Sequence, residues 1–498
     1  MDFIDPKKRR ATKIRLFIGY FLITLAIIMT TLTLLYAAYG YSFGKNGQLI
    51  QKGLVFVSSS PSPASIYLNG VLNAQQTNAR LNIPAGEYTI KLTRPGYRPW
   101  QRAVGVVGGS VERFDYPLLY PVHLVNTVEQ KLTGLPQLFL ESPSRQWILV
   151  QQPQNDTSFT RYDITNFKQL VTTTVTIPSN IVAPNVPGGS WQLVQWSTDN
   201  SHVLLNHIVN GVNDYILFDQ TQPSQSIDLT KALSLNNTVI PSMVNNQYNQ
   251  YDLYDPTTQT LTQASLSQPQ PTALLSQVLA FKSFGSNMLL YATTQNAPTG
   301  KVLIELQQNG TTYTLQSLPA GASNYLLNLA QYNGNWFVAE GDSSGHKVYI
   351  YENPQNSNSS SPSQPLVPAA ILNVNQPNFL SFSANTQFIM AENGNHFSVF
   401  DAQNDKVYAY QTNPAPVAGT HAAWMDGDRI IYASGGHVVV FDYDDANQQT
   451  LQPAVNSTPD FFNQAYTWSY TIAPNTGSDS TLYPYVLTQT SLLIPSDQ

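Results

Sequence analysis

Trp196-Ser197-Thr198-Asp199-Asn200-Ser201-His202-Val203-Leu204 places a polar turn between an aromatic segment and an apolar one, and the strand-like run after it ends in Phe218-Asp219. The pattern returns upstream, where Ser142-Pro143-Ser144-Arg145-Gln146-Trp147-Ile148-Leu149 leads to Tyr162-Asp163. Tyr254-Asp255, Phe400-Asp401 and Phe441-Asp442 close later units. Short strands that recur at a period of roughly 40 to 55 residues predict a β-propeller, each repeat forming one four-stranded blade. About eight blades are expected over 121–498, or seven if the irregular stretch from Asn236 to Leu266 shares strands with a neighbour. An array of β-sandwiches is the alternative. Asn353 to Pro368, rich in Asn, Ser and Pro, has too little apolar surface to enter a core and reads as a mobile loop between strands.

The Ser-x-Asp-like turns followed by an apolar strand resemble those of TolB-like and WD-repeat-like propellers. Asn200 stands where such units usually carry a Gly after the Asp, and no unit contains a Trp-Asp dipeptide.

Before the repeats, the pattern from Leu54 to Tyr120 is again one of period two. LVFVSS, SIYLNG, ARLNIP, EYTIKLT and FDYPLLY are β-branched, aromatic or alternating, with turn signals between them. Asn69-Gly70 suits a two-residue hairpin that needs positive φ, and Pro95-Gly96 suits the centre of a type II turn. A small all-β domain is expected over 54–120. Val55-Phe56-Val57, then Ala64 to Gly70, Ile83-Pro84-Ala85-Gly86-Glu87-Tyr88 and Pro95-Gly96-Tyr97 resemble the PEGA domain between about Gly53 and Pro121. The resemblance implies a β-sandwich of bacterial and archaeal envelope proteins, with no catalytic residues to carry over. The family usually has Thr-Pro where this chain has Thr77-Asn78. Arg94, Arg98 and Arg102 beside Tyr97 and Trp100 are read as a solvated strand face, with a sugar- or anion-binding patch as the alternative.

Further upstream, Leu16 to Tyr39 holds 24 residues without a charge, enough for a helix to cross a bilayer. Lys7, Lys8, Arg9, Arg10, Lys13 and Arg15 precede it, whereas Lys45 is the only cation between Leu16 and Gln51. The positive-inside bias then keeps 1–15 cytoplasmic and puts everything from about Gly47 outside the cytoplasm. The competing reading is a cleaved secretory signal, but the apolar core is too long for one, so 16–39 is read as an uncleaved signal anchor. Tyr36, Tyr39 and Tyr41 suit the outer interface. Residues 40–53 are polar and contain several glycines, and read as a short linker.

The chain has 498 residues and no cysteine, which excludes disulfides, thiolate metal sites and cysteine nucleophiles. Met1 to Arg15 hold six of its 24 basic and two of its 30 acidic side chains, so the remainder carries a net charge of −10. That acidity argues against nucleic acid as a partner. Gly341-Asp342-Ser343-Ser344-Gly345, followed by His346, fits the nucleophile-elbow pattern, but WFVAE before it and HKVYIYE after it make a hairpin turn the better reading. His123, His202, His207, His346, His396, His421 and His437 are scattered, with His202 and His207 on opposite faces of one strand. Asp426-Gly427-Asp428 and Asp442-Tyr443-Asp444-Asp445 could offer oxygens to Ca²⁺ but lack the spacing of a calcium loop, and read as hairpin turns. The sequons at Asn309 and Asn456 are those expected by chance in a chain rich in Asn and Thr.

No catalytic, cofactor-binding or metal residue is assigned, and no cofactor is expected. The reading is a single-pass membrane protein, mainly β, in which a transmembrane helix carries a PEGA-like β-sandwich and a C-terminal β-propeller. Its expected role is that of a surface or envelope scaffold that binds protein or glycan without being an enzyme. The alternative is an exported propeller hydrolase acting on polysaccharide or peptide.

Overall fold

The computed structural model describes residues 6–38, 40–43, 49–285, 287–356 and 366–497. The expected loop Asn353 to Pro368 falls largely at 357–365, outside the described residues, as do Tyr39 and residues 44–48 of the linker. The chain forms two compact units, Met1–His123 with Pro495–Gln498, and Leu124–Ile494.

The first unit begins with α1 (Pro6–Ala38). Its stretch from Lys13 to Ala38 is long and apolar enough to cross a membrane, and none of that surface is buried against protein. The hydroxyls of Thr24, Thr30 and Thr33 donate back to the carbonyls of Tyr20, Ala26 and Met29 at 2.8–2.9 Å, so these polar groups are satisfied within the helix. Such internal pairing is what a hydrocarbon environment demands of every polar group.

The segment expected to be a free linker is instead partly folded. β1 (Tyr41–Phe43) pairs antiparallel with the start of β2 (Leu49–Val57), and the amide of Lys52 donates to the carbonyl of Gly40. The backbone of β1 gains ladder partners there, which a stalk would have left to water. The sandwich follows from alternation. β3 (Ser65–Leu68), β4 (Val71–Gln76), β6 (Gly86–Thr93) and β7 (Trp100–Val106) make one sheet in the order β4-β3-β6-β7. In the other, β2 pairs with β1, with β5 (Ala79–Pro84) and, in parallel, with β8 (Val111–Phe114). Along β5, Ala79, Leu81 and Ile83 point inward while Arg80, Asn82 and Pro84 point out. Val55, Ile66, Ile90 and Leu92 are fully buried, each contributing roughly 1.5–3 kcal/mol.

Asn69 and Gly70 both have positive φ, as the hairpin turn requires. Gly53 is needed for space, because a Cβ there would lie 2.5 Å from Val106 Cγ1 and 2.6 Å from the carbonyl oxygen of Val107. Thr77, where the family signature is left, is buried, and its hydroxyl accepts the Ala64 amide at 2.7 Å. The final residues, expected to belong with the propeller, return to this unit, where Asp497 accepts from the Arg94 guanidinium and, at 2.7 Å, from Tyr97 Oη.

The second unit is a ring of eight four-stranded antiparallel sheets. Blade one runs from 139 to 176, and the following six occupy 189–228, 240–275, 278–319, 325–373, 379–411 and 423–453. The eighth blade takes three strands from 461–491 and its outer strand from β9 (Val125–Leu132), which pairs antiparallel with Tyr485–Ser491. The two ends of the unit therefore share one sheet, the closure that removes sheet edges from a ring. The stretch from Asn236 to Leu266 supplies three strands of a complete third blade, which is why eight blades form rather than seven.

Hydrophobic cores lie between neighbouring blades. Phe159 of blade one and Phe218 of blade two are both fully buried, with ring centroids 5.6 Å apart. Across the closure, Leu132 packs in one cluster with Phe139, Ile148, Tyr470, Ile472 and Leu487.

Candidate functional site

The recurrent polar turn links the first and second strands of a blade. In four blades the residue after the first strand, Ser142, Ser197, Ser383 or Asn463, sits at the head of a loop in which its backbone amide bonds to the carbonyl at the loop's end. The side chains of Ser142, Ser383 and Asn463 also accept an amide from the far side of the loop, such as Trp147, Phe388 and Trp468 at 3.0 Å. Three residues on, Arg145, Asn200, Thr386 and Tyr466 all have φ between 54° and 61°. This is the position where glycine was expected, and a side chain there costs about 1 kcal/mol.

In blades one and eight, that position carries Arg145 and Tyr466. The guanidinium lies 4.7 Å from the Tyr466 ring centroid, and Arg145 Nη2 donates to the carbonyl of Met425 in blade seven at 2.8 Å. Arg145 Nε lies 3.6 Å from Glu141 Oε2. Arg145 thus ties together blades seven, eight and one.

A cavity of about 340 Å³ opens among these three blades. Its polar lining includes Glu141, Arg145, His421, Asn456, Ser457 and Asp460, and its walls include Trp424, Tyr432, Phe461 and Phe462. Three buried polar atoms around it have no hydrogen-bond partner: Glu141 Oε1, Arg145 Nη1 and Asp460 Oδ1. Buried polar atoms are seldom left unpaired, since each costs roughly 1–3 kcal/mol.

Burial also governs the charges. Desolvation raises the Glu141 carboxyl to about 7 against the opposing pull of Arg145 and the Phe462 backbone. It raises Asp460, with no other cause at work, to about 8. Glu392 of blade six backs the cavity, bonded to His421 Nδ1 at 2.8 Å and to the Ala422 amide, and burial lifts it to about 8. The His421 imidazole is lowered by desolvation, so both partners of that hydrogen bond favour their neutral forms near pH 7.

A second cavity, about 560 Å³, lies among blades two to five and is lined by Gln195, Asn246, Tyr254, Phe281 and Lys282. Lys282 is lowered by desolvation.

The residues weighed from sequence are placed elsewhere, apart from His421 and Asn456. Gly341 to Gly345 turns between strands Asn335–Asp342 and Lys347–Glu352, with Asp342 Oδ1 accepting the Ser344 amide at 2.9 Å and His346 bonded to Asn375. His202 is bonded to Asp199 at 2.6 Å and stacked on Tyr248, and His207 stacks on Trp191. His396 bonds Gln411, and His437 approaches the Gly435 carbonyl. Asp426 accepts the amides of Asp428 and Arg429 at 2.8 Å and pairs with the Arg429 side chain, while Asp442 accepts from Asn447. Among the described residues no three His, Cys, Asp or Glu side chains are grouped to hold a metal ion. In the first unit Arg94 and Tyr97 hold Asp497, Trp100 is buried and Arg102 bonds Tyr116.

Glu141, Arg145, Trp424 and Asp460 were missed. The one signal for Arg145 was its place at the expected glycine of a repeated turn.

Residues 52–119 match the PEGA domain. No curated protein matches the chain. Among solved structures it is similar to the Dos1 propeller, at 11% identity over 74% of this chain and 94% of that one, with a TM-score of 0.42. An oligogalacturonate lyase from Vibrio parahaemolyticus is 7% identical over 61% of this chain and 89% of its own, with a TM-score of 0.36. AztD from Citrobacter koseri is 8% identical over 73% and 91%, also with a TM-score of 0.36.

Proposed function

We propose that this protein is an exported, single-pass membrane protein of the cell surface or envelope whose propeller serves as a binding scaffold for protein or glycan. The observation that carries this reading is α1. None of its apolar stretch is buried against protein, its threonines are satisfied internally, and the backbone runs from its end into the sheet of the sandwich. The cation-rich residues before Leu16 favour a cytoplasmic N-terminus. A PEGA domain and a propeller together suit an extracellular binding or scaffold role.

Binding rather than catalysis is supported by how the polar groups of the cavity are engaged. His421, the imidazole that lines the cavity, bonds Glu392 through Nδ1, and among the described residues no serine, threonine or tyrosine hydroxyl is hydrogen-bonded to it. External protease applied to intact cells should remove the propeller and leave an N-terminal fragment in the membrane. Cleavage only after permeabilisation would overturn the orientation.

A further inference from the structure

The geometry points to the cavity among blades seven, eight and one as a site for a neutral saccharide, one or two pyranose rings in size. This deepens the binding-scaffold reading and rests on it.

At about 340 Å³ the cavity lies near the lower end of the roughly 300–1,000 Å³ usual for small-molecule sites. Its walls supply aromatic faces, while Asn456, Ser457 and Thr458 supply an amide and two hydroxyls. Apolar ring faces and scattered polar groups together match a sugar, which has C–H faces and a rim of hydroxyls.

The charge types of the groups around the cavity narrow the class further. Glu141 Oε1 and Asp460 Oδ1 belong to carboxyl groups, whereas Arg145 Nη1 can only donate. A sugar hydroxyl both donates and accepts, so a polyol suits the amide of Asn456 and the hydroxyl of Ser457 that line the cavity. An anion would gain from Arg145 but meet Asp460 and Glu141. A cation would gain from Asp460 but meet Arg145, which is already beside Glu141. An uncharged polyol is indifferent to the sign of each group. It also tolerates either protonation state of the acids, because a neutral carboxyl donates where a carboxylate accepts.

The test uses the full chain in phospholipid nanodiscs, since detergents with sugar headgroups would compete. Saturation-transfer NMR and Trp fluorescence would be recorded with glucose, galactose, mannose, N-acetylglucosamine, cellobiose and lactose, and with glucuronate and choline as charged probes. At least one neutral sugar should bind at millimolar concentration, with an affinity that changes less than about threefold between pH 6 and 9. Asp460→Ala should weaken it by about threefold or more, in keeping with the loss of one neutral hydrogen bond. Ser457→Phe, at the exposed rim, should block it while leaving the unfolding temperature unchanged. Binding of glucuronate or choline alone, no binding of any neutral sugar, or full affinity in both variants would each overturn the assignment. None of these outcomes bears on protease accessibility in intact cells, so failure here is distinguishable from failure of the exported-scaffold reading.

Discussion

Replacing Glu340 by Gln should remove much of the alkaline sensitivity of the propeller. Glu340 lies in the second strand of blade five, fully buried, with Tyr351 Oη 3.4 Å from Oε1 and Oε2 without a partner. Desolvation raises its carboxyl from the ordinary 4.5 to about 8, the Tyr351 hydrogen bond opposing and Asp342 adding to the rise. An acid whose folded value lies above its unfolded value holds its proton more tightly when folded. Its stabilisation is therefore complete below pH 4.5 and is lost as pH rises towards 8. Each pH unit in that window is worth about 1.4 kcal/mol, which gives an upper figure of roughly 5 kcal/mol for this one group. A few kcal/mol should lower the melting temperature of a unit this large by several degrees, at about 1–2 °C per kcal/mol. Six of the seven tryptophans lie beyond residue 124, so thermal unfolding followed by Trp fluorescence reports on the propeller. The wild type should melt progressively lower from pH 5 to 8.5, with Glu141, Asp428, Glu392 and Asp460 adding to the slope. Glu340→Gln should have a shallower slope whatever its stability at pH 5, where an amide at the unpaired Oε2 position carries its own cost of about 1–3 kcal/mol. A wild-type melting temperature that is flat or rises over this range, or an unchanged slope in the variant, would refute the reasoning.

Other expectations follow from the closure, the turns and the chain end. Leu132→Ala, in the cluster that spans the last and first blades, should cost about 2–5 kcal/mol by denaturant unfolding. Truncation from Phe461 should lower the stability of the whole ring, and an unshifted cooperative melt would instead favour separable sandwiches. Ser142→Ala, which removes the acceptor of the Gln146 and Trp147 amides, should cost about 1 kcal/mol. Arg145→Gly should steepen the alkaline slope, because Glu141 loses the guanidinium that opposes the rise of its carboxyl. Asp497→Ala should make the C-terminus more sensitive to carboxypeptidase, because Arg94 and Tyr97 lose the group they hold.

The architecture was legible in the sequence because its signals are local. Alternation in ARLNIP reports directly which side chains of β5 face inward, and the aromatic-Asp pairs report turns. Those pairs say less than they seem to, however. Asp163, Asp219, Asp401 and Asp442 end third strands, whereas Asp255 ends the second strand of its blade. Asp163, Asp219, Asp255 and Asp401 each accept the amide two residues on, so the motif marks a turn and carries no count of strands. β1 was missed for the opposite reason, since three residues beside glycines have no periodicity, and only pairing with Leu49–Gln51 makes them a strand.

The cavity was hidden by the ring itself. Glu141 and Arg145 stand near the start of the propeller sequence, and His421, Trp424 and Asp460 near its end. No spacing connects them, and what brings them together is β9 completing the blade formed by 461–491. The site therefore depends on closure. A change that opens the seam between β9 and Tyr485–Ser491 must disturb the walls formed by Phe461 and Phe462 before it disturbs blades two to five, among which the second cavity lies. Leu132→Ala provides that comparison within one molecule. Ligand binding at the cavity beside Asp460 should weaken at denaturant concentrations where the far blades remain protected from hydrogen exchange. Simultaneous loss of protection in all eight blades would show instead that the ring opens only as a whole.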